Sequence, residues 1–184
     1  MSSKNALFVT HDTHSFIEFA RGLTVLGWTL FARGPTGKAL RAAGLHVENP
    51  GKIVLRNPHG PYINPALTIG FIPVRRIGDT TRFDILCSDL PSRDTVMTTM
   101  ANGDGATVIT QIINASSLLH AAVMGRRLVV ATPAIAVEVL ERLRIKTAAD
   151  PRFRQYLGLL TEELISYFTL DMSGVISPMC RTSE

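Results

Sequence analysis

His11 and His14 bracket Asp12 and Thr13 in a short polar stretch, and an imidazole that titrates at about 6.5 can take up and release protons at neutral pH. Asp12 would orient one of the two rings. The same four residues also read as an exposed helix start capped by Asp12 or Thr13. Their spacing resembles part of a metal site, but no third ligand accompanies them, so no metal is expected. A second stretch, Arg33-Gly34-Pro35-Thr36-Gly37, enters a helix. Free backbone N–H groups and the positive end of the helix dipole favour an anion there, with the Thr36 hydroxyl as a further donor. The other reading is a Gly-Pro turn with Thr36 as an N-cap. Arg33 would grip the anion with two hydrogen bonds, or pair with an acid such as Asp12.

Further polar groups follow later in the chain. Tyr62 and Asn64 lie in a proline-rich loop with His59, and Tyr62 is placed to donate to a developing oxyanion or to sit on a rigid surface loop. Asp89 is either a general base or a loop carboxylate bonded to nearby backbone. Asn114, Ser116 and His120 cluster between helical runs. The first two are donors for a substrate carbonyl or caps at a helix junction, and His120 is a third candidate proton carrier.

These groups need a scaffold. Asn5–Thr10 is a short apolar run ending in polar residues, with a strand expected over Leu7–Thr10, and Phe16, Phe19, Ala20, Leu23 and Leu26 then recur at helical spacing until Gly27. Trp28–Ala32 reads as a second strand, followed by the turn at Arg33–Gly37 and a helix over Lys38–Gly44. Strand, helix, strand, helix in so short a span predicts an α/β, Rossmann-like fold with a mainly parallel sheet and helices on both faces. Five prolines between Val47 and Arg82 predict irregular structure with a short strand near Ile53–Leu55. Later strands are expected at Ile85–Cys87 and Leu128–Ala131, and helices over Ala106–Met124, Pro133–Leu143 and Arg152–Leu170, with a tail from Ser173. In such a sheet ligands collect beyond the carboxyl ends of the strands, where most of these polar residues fall.

Composition narrows the classes. The 184 residues are 46% hydrophobic and 18% charged, which suits a folded domain with a single core over residues 1–172. Neither a bilayer-spanning run nor a signal peptide is read in the sequence, so a cytoplasmic protein without membrane association is expected. Cys87 and Cys180 are far apart and without a Cys-x-x-Cys partner, and Cys87 reads as a small buried hydrophobe. The net charge of +4 is spread along the chain without a basic block, so nucleic acid is not the expected partner.

Several stretches together carry a resemblance: Ala6-Leu7-Phe8, Phe19-Ala20-Arg21, Gly34-Pro35-Thr36, Lys38-Ala39-Leu40, Ala43-Gly44-Leu45, Leu118-Leu119-His120-Ala121-Ala122 and the strand Val129-Val130. The sequence resembles the IMP cyclohydrolase domain of the bifunctional purine enzyme that formylates AICAR and closes the inosine ring. Methylglyoxal synthase and the regulatory domain of carbamoyl phosphate synthetase look like more distant relatives of that fold. The resemblance implies a homodimer, a cyclohydrolase-like domain and a nucleotide-like or phosphorylated small-molecule substrate, and the chain is expected to stand alone without the family's formyl-transferring domain. At the family's catalytic positions this chain carries Pro61 and Met124 for lysines, Leu90 for a tyrosine and a residue near Asn114 for an aspartate. Ordinary IMP synthesis is therefore not expected. The expected activity is dehydrative closure of an amide and a formamide into a ring, on a nucleotide-like or specialised-metabolite substrate and without a cofactor. A non-catalytic binding or regulatory domain is the second reading, and a lyase of small phosphorylated sugars the third.

Overall fold

The computed structural model describes residues 4–50, 83–103, 112, 115, 116, 118–120, 122, 123, 127–148 and 150–180, with the helical backbone alone for 175–180. The expected strand near Ile53–Leu55, the proline-rich loop with Tyr62 and Asn64, and Asn114 lie outside these residues.

Among the described residues, four parallel strands, β1 (Asn5–Phe8), β2 (Thr29–Ala32), β3 (Ile85–Cys87) and β4 (Leu128–Val130), form one sheet in the order β2-β1-β3-β4. Leu7 pairs with Phe31 on one side and Leu86 on the other, and Leu86 pairs with Val129. Strands β1, β3 and β4 are buried along their whole length, which is why each reads as an unbroken apolar run rather than an alternating one.

Helices cover both faces. On the first, Phe8, Leu30, Ile85, Cys87 and Val130 pack with Phe19 and Leu23 of α1 (Ile17–Val25), Leu40 of α2 (Gly34–Ala42), and Ala136 and Val139 of the helix over Pro133–Arg144. On the second, Leu7, Leu86 and Val129 pack with Leu118, Leu119 and Ala122 and with Leu164 and Ile165 of the long helix Pro151–Cys180. Taken in chain order after α3 (Arg93–Ala101), these last two long elements are α4 (Pro133–Arg144) and α5 (Pro151–Cys180). Each fully buried Leu or Phe contributes about 1.5–3 kcal/mol of transfer free energy, so this two-faced core dominates stability. Because α5 gives Phe153 and Leu157 to the first face and Leu164 to the second, it wraps the β4 edge and shields it from further strand pairing.

The crossover from β1 to β2 runs over the first face and that from β3 to β4 over the second. They travel in opposite directions along the sheet, as a fixed crossover hand requires. The reversal falls between β1 and β3, and that is where the crevice of an open α/β sheet opens.

Four departures from the sequence expectation exceed a single residue at an element's end. β1 stops at Phe8 rather than Thr10 because the Thr10 backbone bonds to the Thr36 side chain instead of a neighbouring strand. α2 begins at Gly34 rather than Lys38, since proline is tolerated in a first helical turn. α3 was not expected at all: Val96 is its buried residue, and its start is set by Ser92, whose Oγ accepts the Thr95 N–H at 3.2 Å. Finally, α5 runs on to Cys180 where a tail was expected from Ser173, because Met172 is buried against Val96 and anchors the later turns.

Candidate active site

The loop after β1 is tied down from both sides. Asp89, two residues beyond β3, accepts the backbone N–H of His11 at 2.6 Å on one oxygen and that of Asp12 at 2.8 Å on the other. On the β2 side, the buried Thr36 hydroxyl accepts the Thr10 N–H at 3.3 Å and donates to the Thr10 carbonyl at 3.0 Å. Within the loop, Thr10 and Thr13 share a hydroxyl hydrogen bond of 2.9 Å. Asp12 accepts from both the N–H and the hydroxyl of Ser15 at the start of the 3-10 turn His14–Phe16, which Phe16 anchors in the core. The result is a fixed backbone that presents two solvent-exposed imidazoles, His11 and His14.

These bonds decide between the alternatives left open by sequence. Asp12 stands one residue before Thr13, the N-cap position of the turn, and holds the turn through Ser15: the Ser15 hydroxyl, more than the backbone N–H groups of Ser15 and His14, holds its carboxyl below the ordinary carboxylate range. Asp12 is thus partnered by Ser15 and not by Arg33. Asp89 is a loop clamp, with both of its oxygens accepting backbone N–H groups. Thr36 neither caps α2 nor has its proton free for an anion, because that proton goes to Thr10. Thr13 is buried and occupied by Thr10.

What remains for an anion is the start of α2. Arg33 occupies the N-cap position with extended backbone, is exposed, and its side chain does not cap the helix. Among the described residues it forms no ion pair. Gly34 follows with φ of +54°, a left-handed conformation that a side chain would resist, and this turns the chain sharply into the helix. Gly37 N–H is used at 3.1 Å by the Arg33 carbonyl. Pro35 has no N–H, so the Gly34 and Thr36 amides are the first-turn donors without an intrahelical acceptor. A Cβ on Gly37 would stand 3.0 Å from the Ala32 carbonyl oxygen, so glycine here lets α2 start close against the end of β2.

His120 falls elsewhere. Its Nδ1 lies 2.7 Å from Oε1 of Glu162 on α5, with both side chains 40% exposed. The helical residues around it close with Arg127 N–H bonded to the Ala122 carbonyl at 3.0 Å, immediately before β4 begins. His120 therefore lies toward the amino edge of the sheet, away from the loops that carry His11 and His14. Ser116, half-buried on the same helical stretch, is likewise not among those loops.

Ser88, which follows a strand as Asp89 does, was given no role from sequence, and the cleft beside it was not foreseen. Ser88 is 1% exposed at the end of β3, and among the described residues its hydroxyl has no hydrogen-bond partner. Beside it, a cleft of about 390 Å3 opens beyond β3 and β4, walled by Asp89–Arg93, Ala131, Thr132 and the Leu164–Asp171 stretch of α5. Nothing in the local sequence signals that cleft, because its two walls lie far apart in the chain. Neighbouring Cys87 is no nucleophile, since full burial, and then the charge of Asp89, push its thiol well above its ordinary range. Among the described residues no group of three or more His, Cys, Asp or Glu is arranged to hold a metal ion, and no helix is long and apolar enough to cross a membrane.

No family model matches the chain. Its fold is similar to that of ForH, known from a crystal structure, with a TM-score of 0.62 over 94% of this chain and 98% of that one. The protein is an α/β, Rossmann-like fold. The identity to ForH is 18%, so the likeness speaks for the fold alone.

Proposed function

We propose that this chain is a cyclohydrolase-like enzyme that closes a ring on an anionic small molecule by condensing an amide with a formamide. Arg33 and the amides of Gly34 and Thr36 hold the anionic end. His11 or His14 takes the proton from the attacking carboxamide nitrogen as it bonds to the formamide carbon. The imidazole passes that proton to the former carbonyl oxygen, which becomes a hydroxyl; it then takes a second proton, from the formamide nitrogen, and gives it to the hydroxyl, so that the C–O bond breaks, water leaves and a C=N bond forms. Holding both groups in near-attack geometry is worth up to about 7–11 kcal/mol in favourable intramolecular cases. The observation that carries this reading is the double tether of the β1 loop, by Asp89 from β3 and by Thr36 from α2. Such tethering supports pre-organised catalysis, because rigid backbone and titratable, exposed side chains are combined at the point where the strand order reverses.

Changed residues at the family's catalytic positions argue against ordinary IMP synthesis. The test is to incubate the purified chain with formyl-AICAR and with simpler vicinal formamido-carboxamides, following ring closure by absorbance. Closure of one of the simpler compounds with slow or no IMP formation is expected. Rapid IMP formation would overturn the view of the site, and no closure of any compound would remove the catalytic reading.

A non-catalytic binding module is the second reading. It is favoured by the fact that Asp12, Thr36 and Asp89 all spend their polar atoms inside the loops. Such a module would bind the anion through Arg33 and show no turnover.

A further inference from the structure

We propose that this chain self-associates head to tail, with the Ile145 turn of one copy seated in the cleft beyond β3 and β4 of the next. The contact joins the two ends of the α4–α5 helix pair and is independent of the reaction proposed above.

The turn between α4 and α5 is a rigid knob. α4 ends in a complete Schellman motif, in which Thr147 N–H bonds to the Arg142 carbonyl at 2.9 Å and Lys146 N–H to the Leu143 carbonyl at 3.3 Å. Ala148 is buried, and so is Phe153, whose ring lies 4.2 Å beneath the Arg142 guanidinium; together they pin the base of the turn to the core. Above that base Arg144, Lys146 and Arg152 are exposed, and Ile145 is 68% exposed among them. Among the described residues none of the three cations forms an ion pair.

Lys146 holds a φ of +61°, the left-handed conformation that this motif ordinarily gives to glycine. A side chain kept in such backbone costs stability, and strain of this kind concentrates where the residue is used. An exposed isoleucine alone is ordinary. Set between Arg144 and a strained lysine on an anchored turn, it is an apolar anchor with cationic flanks.

The cleft has the complementary character. Its walls are Leu90, Pro91, Ala131, Leu164, Tyr167 and Phe168, and its volume of about 390 Å3 is ample for one isoleucine side chain. Tyr167 and, less than one turn further along α5, Leu170 are both well exposed, an apolar rim that a single copy leaves bare. The charges oppose: Asp89 and Asp171 stand against Arg93 around the cleft, whereas residues 138–154 carry five cations and three carboxylates. Complementary fields of this kind steer encounter and fix which surfaces meet.

Topology directs the knob to another copy. α4 starts beside Thr132 in the cleft wall and ends at the turn, 12 residues later, which is about 18 Å of helix. The cleft therefore opens at the carboxyl edge of the sheet and the knob stands at the amino edge, so a chain cannot fill its own cleft. A contact between two unlike surfaces is heterologous and repeats from copy to copy, as a ring or an open chain.

Sedimentation velocity on the full chain over a range of protein concentrations tests this. The average mass of the wild type is expected to rise with concentration. Ile145→Asp on the knob and Tyr167→Arg at the cleft should each weaken the association about tenfold or more, as loss of an interface anchor does. Both positions are well exposed, so neither variant threatens the core. An equimolar mixture of the two variants should associate again, because each supplies the surface the other lacks. Lys146→Gly should raise the Tm by relieving the backbone while weakening association by roughly two- to fivefold, the worth of one exposed charge pair. A wild type that stays monomeric, association that survives either Ile145→Asp or Tyr167→Arg, or a mixture of the two that fails to associate would each overturn the proposal. Association undiminished in Lys146→Gly would remove the lysine from the contact.

Discussion

Asp89 Oδ1 accepts the backbone N–H of His11 at 2.6 Å, joining the loops after two neighbouring strands across 78 residues of sequence. With its other oxygen on Asp12 N–H, the carboxylate sets the path of the chain that carries both exposed histidines. Asp89→Ala should therefore lower stability by about 1.5–3 kcal/mol, the usual worth of hydrogen bonds to a charged group. Urea unfolding checks the magnitude. Amide exchange at His11 and Asp12 should accelerate more than elsewhere. Unchanged protection there would mean that the clamp does not form in solution.

The Asp12–Ser15 pair predicts an acid-sensitive loop. Hydrogen bonding from the Ser15 hydroxyl lowers the Asp12 pKa in the folded chain relative to the unfolded one. Its stabilisation is then fully present above the unfolded value and disappears as pH falls through the lower folded value. Ser15→Ala should move the Asp12 carboxyl, followed by NMR titration, upward toward an ordinary aspartate. A midpoint that does not move would show that the hydroxyl is not its principal partner.

Arg33 is the exposed cation at the start of α2. Arg33→Ala should weaken binding of an anionic ligand by about 1.5–3 kcal/mol, and Arg33→Lys by less, since lysine restores the charge but not the two-pronged geometry. Titration calorimetry with inorganic phosphate at fixed ionic strength measures it. Equal affinity in all three proteins would place the anion elsewhere.

Proton transfer separates the histidines. His11→Gln or His14→Gln should lower ring-closing turnover by on the order of a hundredfold while sparing affinity, if that imidazole moves the proton. His120→Gln should leave turnover near normal, because its partner is Glu162 on α5 and not a residue of the β1 loop. It should cost no more than about 1 kcal/mol of stability, as expected of a half-exposed pair. A collapse of turnover in His120→Gln alone would reverse this assignment.

Met172 fixes the last turns of α5. It is 3% exposed and packs with Val96 and Phe168. Met172→Ala should cost about 2–5 kcal/mol if the site cannot collapse around the cavity. The amides of residues 171–180 should lose exchange protection before the rest of the helix. A chain in which those amides are unprotected to begin with would restore the flexible tail expected from sequence.

Local pattern was enough for much of this architecture. The unbroken apolar runs at β1, β3 and β4, the helical recurrence of Phe16, Phe19 and Leu23, and the βα alternation dictate a parallel sheet, because strands buried on both faces admit no other common arrangement. Residues after the strands were legible as site candidates for the same reason. Their roles were not. Asp12, Thr36 and Asp89 each have two plausible chemistries in sequence, and only partners brought close by the fold chose between them: Ser15, Thr10 and the His11 and Asp12 amides. His120 shows the same limit, since its position in the chain cannot say which edge of the sheet it meets. α3 and the end of α5 escaped prediction because Val96 and Met172 stabilise them jointly across 76 positions of sequence. The cleft between the β3 and β4 ends and α5 exists only in three dimensions, where a helix that wraps the sheet edge faces loops it never neighbours in the chain.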